Sequence, residues 1–406
     1  MNMNIRADFP FFTMYPGIAY LDNAASTQKP LAVIDAIQDA HVRLAVTPYR
    51  SIYTLAERAT EEYERARAAT ASFIGAEHAD EIAFVKSTTE GINAVAHAWG
   101  RANIVPGDEI IVGELEHHAN LLPWQYLAEE RGAILKWIRV NFDGTIDPHV
   151  LDELFTQRTK LIAITGYSNV LGSLDDIAGK GFLKSVIAHA RRVGARVLID
   201  AAQLVPYQTV DVQKLGCDFL AFSSNKMLGP AGVGVLYIKR DRHDELIPFM
   251  HGGGMVESVG YKDNIYRPFP YMLEAGTQSV PLVMGWLAAL DYINSNIDMK
   301  VLGSHCSRLT GYAKTELPDI PRVQLLGPPE VSPHDHLCSF YVDGIHPHDV
   351  AAYLDNQGIC VRAGNHCAGL LHAKLGIPAS VRMSVYGYNT DTEVERLIDS
   401  LKKLVV

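Results

Sequence analysis

The chain has no excess of positive charge and no apolar run long enough to cross a bilayer. Its 46 Asp and Glu residues outnumber 36 Lys and Arg residues, which gives a formal net charge of -10. This balance argues against nucleic acid as the main partner, because binding to phosphates needs a basic face. Apolar runs such as residues 280–290 stop well short of the roughly 18 residues that a membrane span needs. We therefore expect neither a nucleic-acid-binding protein nor a membrane protein.

Cysteine is also scarce. The five cysteines are odd in number and show no CxxC spacing, which predicts reduced thiols rather than a disulfide framework or a zinc knuckle. The first ten residues contain no secretory apolar core, so we expect a cytoplasmic protein. The remaining composition, 48% hydrophobic and 20% charged over 406 residues, is typical of a globular protein with a large and a smaller domain.

Strand patterns alternate with helical patterns over the first two thirds of the chain, which predicts an α/β fold with a mostly parallel sheet. The predicted strands are residues 81–85, 109–112, 161–165, 197–200 and 219–223, with 233–238 returning antiparallel as an edge strand. Helices are predicted over 30–45, 56–71, 183–193 and 281–293.

Three regions are predicted along the chain. Residues 1–20 form an extended aromatic arm that packs on the smaller domain, residues 21–290 form the large domain, and residues 291–406 form a smaller α+β C-terminal domain.

An acid and an amine follow two of the predicted strands. Asp200 closes an apolar run and Lys226 follows another, so both side chains are expected at the carboxyl ends of buried parallel strands, where open α/β sheets bind ligands. A lysine that forms a Schiff base and an aspartate for a pyridine nitrogen are what pyridoxal phosphate demands. The alternative is that the two residues are solvated strand caps.

Ser87, Thr88, Thr89 and Glu90 follow a strand and open a helical pattern. Their hydroxyls and first-turn amides suit a phosphate at a helix N-terminus. Ser87 and Glu90 also have the spacing of an ordinary capping box, and the two roles are compatible. Further phosphate donors are expected from Ser223, Asn225 and Thr277 in other loops.

His117 and His118 follow the strand at 109–112, where an imidazole can lie flat over a ring held at the sheet edge. Zinc is the competing ligand, but adjacent histidines lack the i, i+4 spacing of a helical metal pair. Four other histidines are interpreted as surface loop residues, and no metal is assigned to them: His334, His336, His346 and His348.

Cys367 lies among glycines and polar residues, which predicts an exposed loop and permits nucleophilic chemistry. Nearby His366 or Arg362 would favour the reactive thiolate. The alternative is an incidental loop cysteine. Arg382 has the chemistry to clamp a carboxylate, although a single arginine near a strand is usually structural.

Several motifs occur in one order along the chain: Asp22-Asn23-Ala24-Ala25, Thr88-Thr89-Glu90-Gly91-Ile92-Asn93, Glu116-His117-His118-Ala119-Asn120, Asp200-Ala201-Ala202-Gln203, Lys226 with Gly229-Pro230, Glu274-Ala275-Gly276-Thr277 and residues 362–368. Together they resemble the class V aminotransferase-like enzymes, and among these the SUF-type cysteine desulfurases and selenocysteine lyases. The resemblance runs from about Tyr20 to the C-terminus. It implies a pyridoxal 5'-phosphate-dependent transferase of fold type I.

The resemblance implies a homodimer that converts L-cysteine to L-alanine. The sulfur stays as a persulfide on Cys367 for an acceptor protein, in iron-sulfur cluster assembly or in a dedicated sulfur pathway. The implied catalytic residues are Lys226, Cys367 and His117. The implied cofactor-binding residues are Thr88, Thr89, His117, Asp200, Gln203, Ser223, Asn225, Lys226 and Thr277, with Thr277 donated by the second subunit. The implied substrate-binding residues are Asn169, Arg362 and Arg382.

The chain departs from the family pattern at several positions. Asn225 stands where the family usually has a histidine before the lysine, and an asparagine amide donates to phosphate but carries no charge. Tyr49 and Tyr53 replace two histidines near the substrate mouth, and Asn365 replaces a histidine beside Cys367. These departures leave open another reaction on a small amino acid, namely selenocysteine lysis, C–S lysis, epimerisation or transamination. A non-catalytic sulfur-relay protein is a third hypothesis, against which the intact Lys226 counts.

Overall fold

The computed structural model describes residues 5–405, apart from the side chain of Asp176. In chain order the strands are β1 (Ala19–Tyr20), β2 (Ile82–Val85), β3 (Glu109–Gly113), β4 (Ile134–Ile138), β5 (Thr159–Thr165), β6 (Tyr167–Ser168), β7 (Gly172–Ser173), β8 (Arg196–Asp200), β9 (Phe219–Ser223), β10 (Gly234–Ile238), β11 (Val256–Val259), β12 (Asn264–Tyr266), β13 (Val323–Leu326), β14 (Leu337–Val342), β15 (Ile359–Cys360), β16 (Arg362–Gly364) and β17 (Ser380–Ser384).

The helices cover the predicted helical segments and several shorter ones. They are α1 (Pro10–Met14), α2 (Leu31–Arg43), α3 (Thr54–Phe73), α4 (Thr88–Val95), α5 (Arg101–Asn103), α6 (Leu122–Arg131), α7 (Val150–Leu154), α8 (Leu174–Ala178), α9 (Phe182–Val193), α10 (Val212–Leu215), α11 (Val280–Asn296), α12 (Met299–Glu316), α13 (Pro347–Asp355), α14 (Gly369–Lys374) and α15 (Asp391–Leu404). Within the described residues, no helix has the length and apolar character of a membrane span.

The main sheet has seven strands in the order β2-β10-β9-β8-β5-β3-β4. Strand β10 runs antiparallel to both neighbours, whereas the pairs among β9, β8, β5, β3 and β4 are parallel. The α/β fold with a mostly parallel sheet is therefore confirmed. The antiparallel direction of β10 was predicted correctly, but its edge position was wrong, because β2 pairs along its outer side. All five residues of β10 are buried, as an interior strand requires.

The carboxyl ends of the parallel strands β5, β8 and β9 lie side by side along one edge of the main sheet. Thr165 at the end of β5 lies opposite Asp200 in β8, and Asp200 lies opposite Ala221 in β9. The loops that follow these strands therefore leave the sheet at one edge, which is where open parallel sheets bind ligands.

A second sheet lies in the C-terminal part of the chain, with four antiparallel strands in the order β13-β14-β17-β16. Helices α12, α13 and α15 contact this region. Strand β16 begins at Arg362 and leads into the loop that carries Cys367. Asp200 and Lys226 thus lie at strand ends of the main sheet, whereas Arg362, Arg382 and the loop with Cys367 belong to the second sheet. The boundary at residue 290 stays a prediction.

The N-terminal segment is helical where an extended arm was expected, with a 3₁₀ turn at Arg6–Asp8 before α1. Arg6 forms an ion pair with Glu393 (2.9 Å), and the Phe9 ring lies 4.7 Å from the Tyr388 ring. Burial of Phe9 and Phe12 stabilises these short turns, since isolated helices of this length are marginal in water. Residues 1–4 of the predicted arm lie outside the described residues.

Candidate active site

A cavity of about 130 Å³ lies at the carboxyl ends of the parallel strands. It is lined by Thr88, Thr89, His117, Ala119, Thr165, Tyr167, Asn169, Asp200, Ala202, Gln203, Ser223 and Lys226. Most of the residues assigned to the cofactor from sequence thus line one cavity, although they span more than a third of the chain.

Asp200 and Lys226 are the charged pair of this cavity. Burial raises the pKa of the Asp200 carboxyl, while the Ala202 N–H, which lies 2.9 Å from Asp200 Oδ1, and the Lys226 ammonium oppose that shift. Burial lowers the pKa of Lys226 to about 8, against the opposing effect of Asp200. The lysine is therefore available as a neutral amine near physiological pH.

His117 follows β3 and presents a neutral ring to the cavity. Burial and the nearby Lys226 ammonium lower its pKa to about 3. Its Nδ1 accepts a hydrogen bond from the Ala119 N–H at 3.0 Å, so the ring proton lies on Nε2. A neutral aromatic ring fixed in this way is suited to stacking on a flat heterocycle.

Glu116 fixes the turn that carries His117. Its Oε1 accepts from the Thr165 N–H at 3.0 Å, and its Oε2 accepts from the Asn120 side-chain amide at 2.6 Å. The side chain is fully buried, and burial raises its pKa to about 8. The sequence assigned no role to Glu116, although its place in the motif around His117 marks it. It ties the His117 turn to β5.

The hydroxyls predicted for phosphate lie at the start of α4. The Thr88 N–H donates to Ser223 Oγ at 2.8 Å, and the Thr88 and Ser223 hydroxyls lie 2.6 Å apart. Ser87 caps the helix by accepting from the Glu90 N–H at 3.3 Å. The capping role and the clustered hydroxyls therefore occur together, as their sequence spacing allows.

Asn225 differs from these hydroxyl residues. Its side-chain amide donates to the Ala25 carbonyl at 3.1 Å, and it is not among the residues that line the cavity. Its backbone carbonyl accepts from the Thr27 N–H at 3.0 Å and from Lys29 Nζ at 3.2 Å. Asn225 therefore fastens the segment after β1 to the turn of Lys226. The predicted phosphate contact by Asn225 gains no support from this geometry.

Gln203 lies between the cavity and a buried histidine. Its amide donates to the Ala24 carbonyl at 2.6 Å, and its Oε1 lies 3.3 Å from His336 Nε2. The ring of His336 stacks between Tyr167 and Tyr207, at centroid distances of 4.2 and 3.5 Å. The prediction that His336 is a surface residue was wrong, because aromatic stacking accommodates a neutral imidazole in the core.

Cys367 is exposed, on a loop whose backbone is held at the cavity rim. Its carbonyl accepts from the His118 N–H at 2.6 Å, and its own N–H donates to Asn365 Oδ1 at 3.1 Å. The Asn169 side-chain amide donates to the His366 carbonyl at 2.8 Å. His366 and Cys367 have φ values of 51° and 57°, an uncommon left-handed backbone that these contacts stabilise.

The substrate-binding candidates converge beside this loop. Arg382 is buried and donates to the Asn169 carbonyl at 2.9 Å and to Asp22 Oδ1 at 3.4 Å. Arg362 is more exposed and contacts both Asp22 oxygens, at 3.2 Å from Nε and from Nη2. Burial lowers the pKa of Arg382, and the Asp22 carboxylate opposes that shift. Asp22 is a second residue to which the sequence assigned no role.

Thr277 lies away from this cavity. It is exposed and follows Glu274, whose carboxylate forms a buried ion pair with Arg67 at 2.7 Å. Its predicted contact with the cofactor of a second subunit stays a prediction. Tyr49, one of the two tyrosines near the predicted substrate mouth, donates through its hydroxyl to Glu64.

Comparisons with known proteins agree with this geometry. The aminotransferase class-V family profile matches residues 19–397. The chain is 41% identical to a cysteine desulfurase of Enterobacter sp. (strain 638) over 404 residues, which cover 98% of this chain and 97% of that protein. A probable cysteine desulfurase of Streptomyces coelicolor is 40% identical over 406 residues, which cover 98% and 96% of the two chains.

A solved structure gives the same result. The apo cysteine desulfurase from Thermococcus onnurineus NA1 aligns with a TM-score of 0.92 and 34% identity, covering 100% of this chain and 98% of that one. The family match spans both sheets and every residue assigned to the cavity. This chain belongs to the class V aminotransferase family.

Proposed function

We propose that this chain is a pyridoxal 5'-phosphate-dependent cysteine desulfurase, which converts L-cysteine to L-alanine and keeps the sulfur as a persulfide on Cys367. One observation carries the proposal. The exposed Cys367 lies on a loop that is held beside the cavity of Lys226 and Asp200, since the His118 N–H donates to the Cys367 carbonyl and the Asn169 side-chain amide donates to the His366 carbonyl.

The donor set of the cavity fits pyridoxal phosphate. It combines an amine of lowered pKa in Lys226, a buried carboxylate in Asp200, a neutral flat ring in His117, and hydroxyls of Thr88 and Ser223 at a helix N-terminus. When bound, this cofactor withdraws electrons from the α-carbon of an amino acid.

The roles of the chain's own groups follow from their surroundings. The Asp200 carboxylate would accept a hydrogen bond from a protonated ring nitrogen and keep that nitrogen protonated, because the carboxylate is buried in the cavity wall, where water screens its charge poorly. Lys226, as a neutral amine, takes the α-proton of the substrate. Arg382 and Asn169 would orient the substrate carboxylate, since the buried Arg382 keeps its Nε without a partner among residues 5–405 and contacts Asn169, which lines the cavity.

Cys367 carries the sulfur transfer. Its thiolate attacks the substrate sulfur, so an S–S bond forms while the Cβ–S bond of the substrate breaks. The electron pair of the broken bond stays with the carbon skeleton, which takes up protons and leaves as alanine. The exposure of Cys367 is consistent with later transfer to an acceptor.

Product analysis tests this function. Incubation with L-cysteine is expected to give one alanine per sulfur transferred, and mass spectrometry is expected to find an added sulfur on Cys367. Cys360, seven residues earlier and partly buried on β15, offers the matched control. Cys360→Ser is expected to keep turnover, whereas normal turnover by Cys367→Ser with dithiothreitol present would overturn the persulfide role.

The same assay separates the rival reactions. Pyruvate in place of alanine would indicate C–S lysis, and a panel of small amino acids, including selenocysteine, would reveal epimerisation, transamination or a selenium preference. A protein that binds no cofactor at Lys226 would favour the non-catalytic relay.

We also propose a homodimer in which Thr277 reaches the site of the second copy. The support is that Thr277 is exposed and does not line the cavity of its own chain. Mixed dimers test this. Lys226→Ala and Thr277→Ala are each expected to be poorly active, and dimers reassembled from the two variants are expected to regain activity at one of their two sites. No gain on mixing would contradict the shared site.

The persulfide is proposed to pass to an acceptor protein, for iron-sulfur cluster assembly or a dedicated sulfur pathway, in the cytoplasm. All five cysteines are free thiols, which suits a reducing compartment, and a net charge of -10 does not suit nucleic acid.

A further inference from the structure

Two arginines stand directly opposite each other in the C-terminal sheet. Arg362 in β16 pairs with Arg382 in β17 in an antiparallel register. Side chains opposite each other on one face lie about 5 Å apart at Cβ, so two like charges at such a pair destabilise it. Arg382 is 3% exposed, so water screens this repulsion poorly. The pair therefore needs a counter-charge.

Asp22 supplies that charge from a distant part of the sequence. Its carboxylate accepts from Arg362 Nε and Nη2, each at 3.2 Å, and from Arg382 Nη2 at 3.4 Å. One carboxylate thus bridges both guanidinium groups. Two positive charges and one negative charge leave this cluster with a net charge of +1, and the cluster contacts the cavity through Asn169, whose carbonyl accepts from Arg382.

The backbone around Asp22 is fixed to the strand that carries Arg382. Asp22 forms an isolated parallel bridge with Ser384, and the Ser384 N–H donates to the Leu21 carbonyl at 2.7 Å. The Asn23 side-chain amide donates to the Ser384 carbonyl at 2.8 Å, and the Ala24 N–H donates to Ser384 Oγ at 2.9 Å. Asp22 therefore has little freedom to leave the arginines.

Arg382 keeps a free donor. Its Nε is buried and has no hydrogen-bond partner within residues 5–405, while Nη1 and Nη2 donate to Asn169 and Asp22. A buried charged donor without a partner is costly, so it marks a place for an acceptor. A ligand carboxylate satisfies Nε and also balances the remaining charge.

We propose that Asp22 is a positioning residue, which fixes Arg362 and Arg382 and makes the site favour amino acids with one carboxylate over amino acids with two. This inference rests on the proposed function for the identity of the substrate. A ligand with two carboxylates brings two negative charges to a site with one positive charge in excess, and is rejected for that reason.

Inhibition of the holoenzyme tests the selectivity. We expect L-alanine to inhibit L-cysteine turnover more strongly than L-aspartate in the wild type. In Asp22→Asn, the inhibition constant of L-aspartate relative to that of L-alanine is expected to fall about tenfold, because the variant site has one more positive charge in excess; a tenfold change corresponds to about 1.4 kcal/mol. Asp39→Asn, which removes an exposed partner of Arg43, is the control. An unchanged ratio in Asp22→Asn would overturn the proposal.

Thermal stability tests the counter-charge without turnover. Asp22→Ala is expected to melt below the wild type and Asp39→Asn, and sodium acetate is expected to raise its melting temperature more than that of the wild type. Arg362→Gln in the Asp22→Asn background restores the charge balance and is expected to recover part of the lost stability. Equal acetate effects, or a double variant no more stable than Asp22→Asn, would refute the counter-charge. If the wild type makes no alanine, the proposed function fails while these melting data still decide the role of Asp22.

Discussion

The ion pair between Arg67 and Glu274 gives the most quantitative prediction. Arg67 Nη1 and Nη2 donate to the two carboxylate oxygens at 2.7 and 2.9 Å, and the side chains are 1% and 2% exposed. Glu274 also accepts from the Phe84 N–H at 2.7 Å, and Arg67 donates to the Ile82 carbonyl at 2.6 Å. The pair thus joins α3, β2 and the segment that leads to Thr277.

We predict that Arg67→Met and Glu274→Gln each destabilise the protein by about 3–5 kcal/mol, because the first leaves the buried Glu274 carboxylate without its cation and the second leaves the buried Arg67 with only the partly exposed Glu64 as a counter-charge. The double variant carries neither charge of the buried pair, Glu64 being partly exposed to water, and the glutamine side chain that replaces Glu274 keeps an acceptor for the Phe84 N–H. Its loss of stability is therefore expected to be smaller than the sum of the two single losses, by about 2 kcal/mol or more.

Arg65 provides the control on the same helix. Its ion pair with Glu62 is at 2.7 Å but largely exposed, so Arg65→Met is expected to cost less than about 1 kcal/mol. The assay is chemical denaturation followed by fluorescence and by circular dichroism. Additive single losses, or an equal cost at Arg65, would refute the claim that burial makes this pair strong.

Three further predictions concern the cavity. Burial raises the pKa of Glu116 to about 8 from an ordinary 4.5, so the folded protein holds this proton more tightly than the unfolded chain does. The free energy of unfolding therefore has its full contribution from Glu116 below about pH 4.5 and loses that contribution as the pH rises to 8. Wild-type stability is therefore expected to fall over that range relative to Glu116→Gln, by about 4–5 kcal/mol, and parallel stability curves would contradict this. With a pKa of about 8, Lys226 in cofactor-free protein is expected to bind pyridoxal phosphate covalently about fivefold faster at pH 8 than at pH 7, measured by absorbance with Lys29→Met as control. Asn225→Ala is expected to lose about 1 kcal/mol of stability, because it loses the hydrogen bond to the Ala25 carbonyl. The variant is expected to bind pyridoxal phosphate in preference to pyridoxal as the wild type does. Loss of that preference would show that Asn225 contacts the phosphate.

The predicted parallel strands are found with boundaries within a few residues, because buried strands are continuous apolar runs and their ends carry polar residues. Asp200 and Lys226 could be placed at one sheet edge for this reason. The position of β10 could not be predicted, since an interior antiparallel strand has the same apolar pattern as a buried edge strand.

The sequence by itself determined the succession of strands and motifs along the chain, the family and the residue types of the cavity, since each depends on local patterns and residue types. Tertiary structure decided which distant groups meet. Asp22 bridges arginines that follow it by 340 and 360 residues, Arg67 pairs with Glu274, and Asn225 donates to Ala25 instead of lining the cavity. Such contacts depend on how the two sheets and the segment after β1 pack together. A buried charge selects its partner by proximity in the folded chain, and a local sequence pattern contains no record of that proximity.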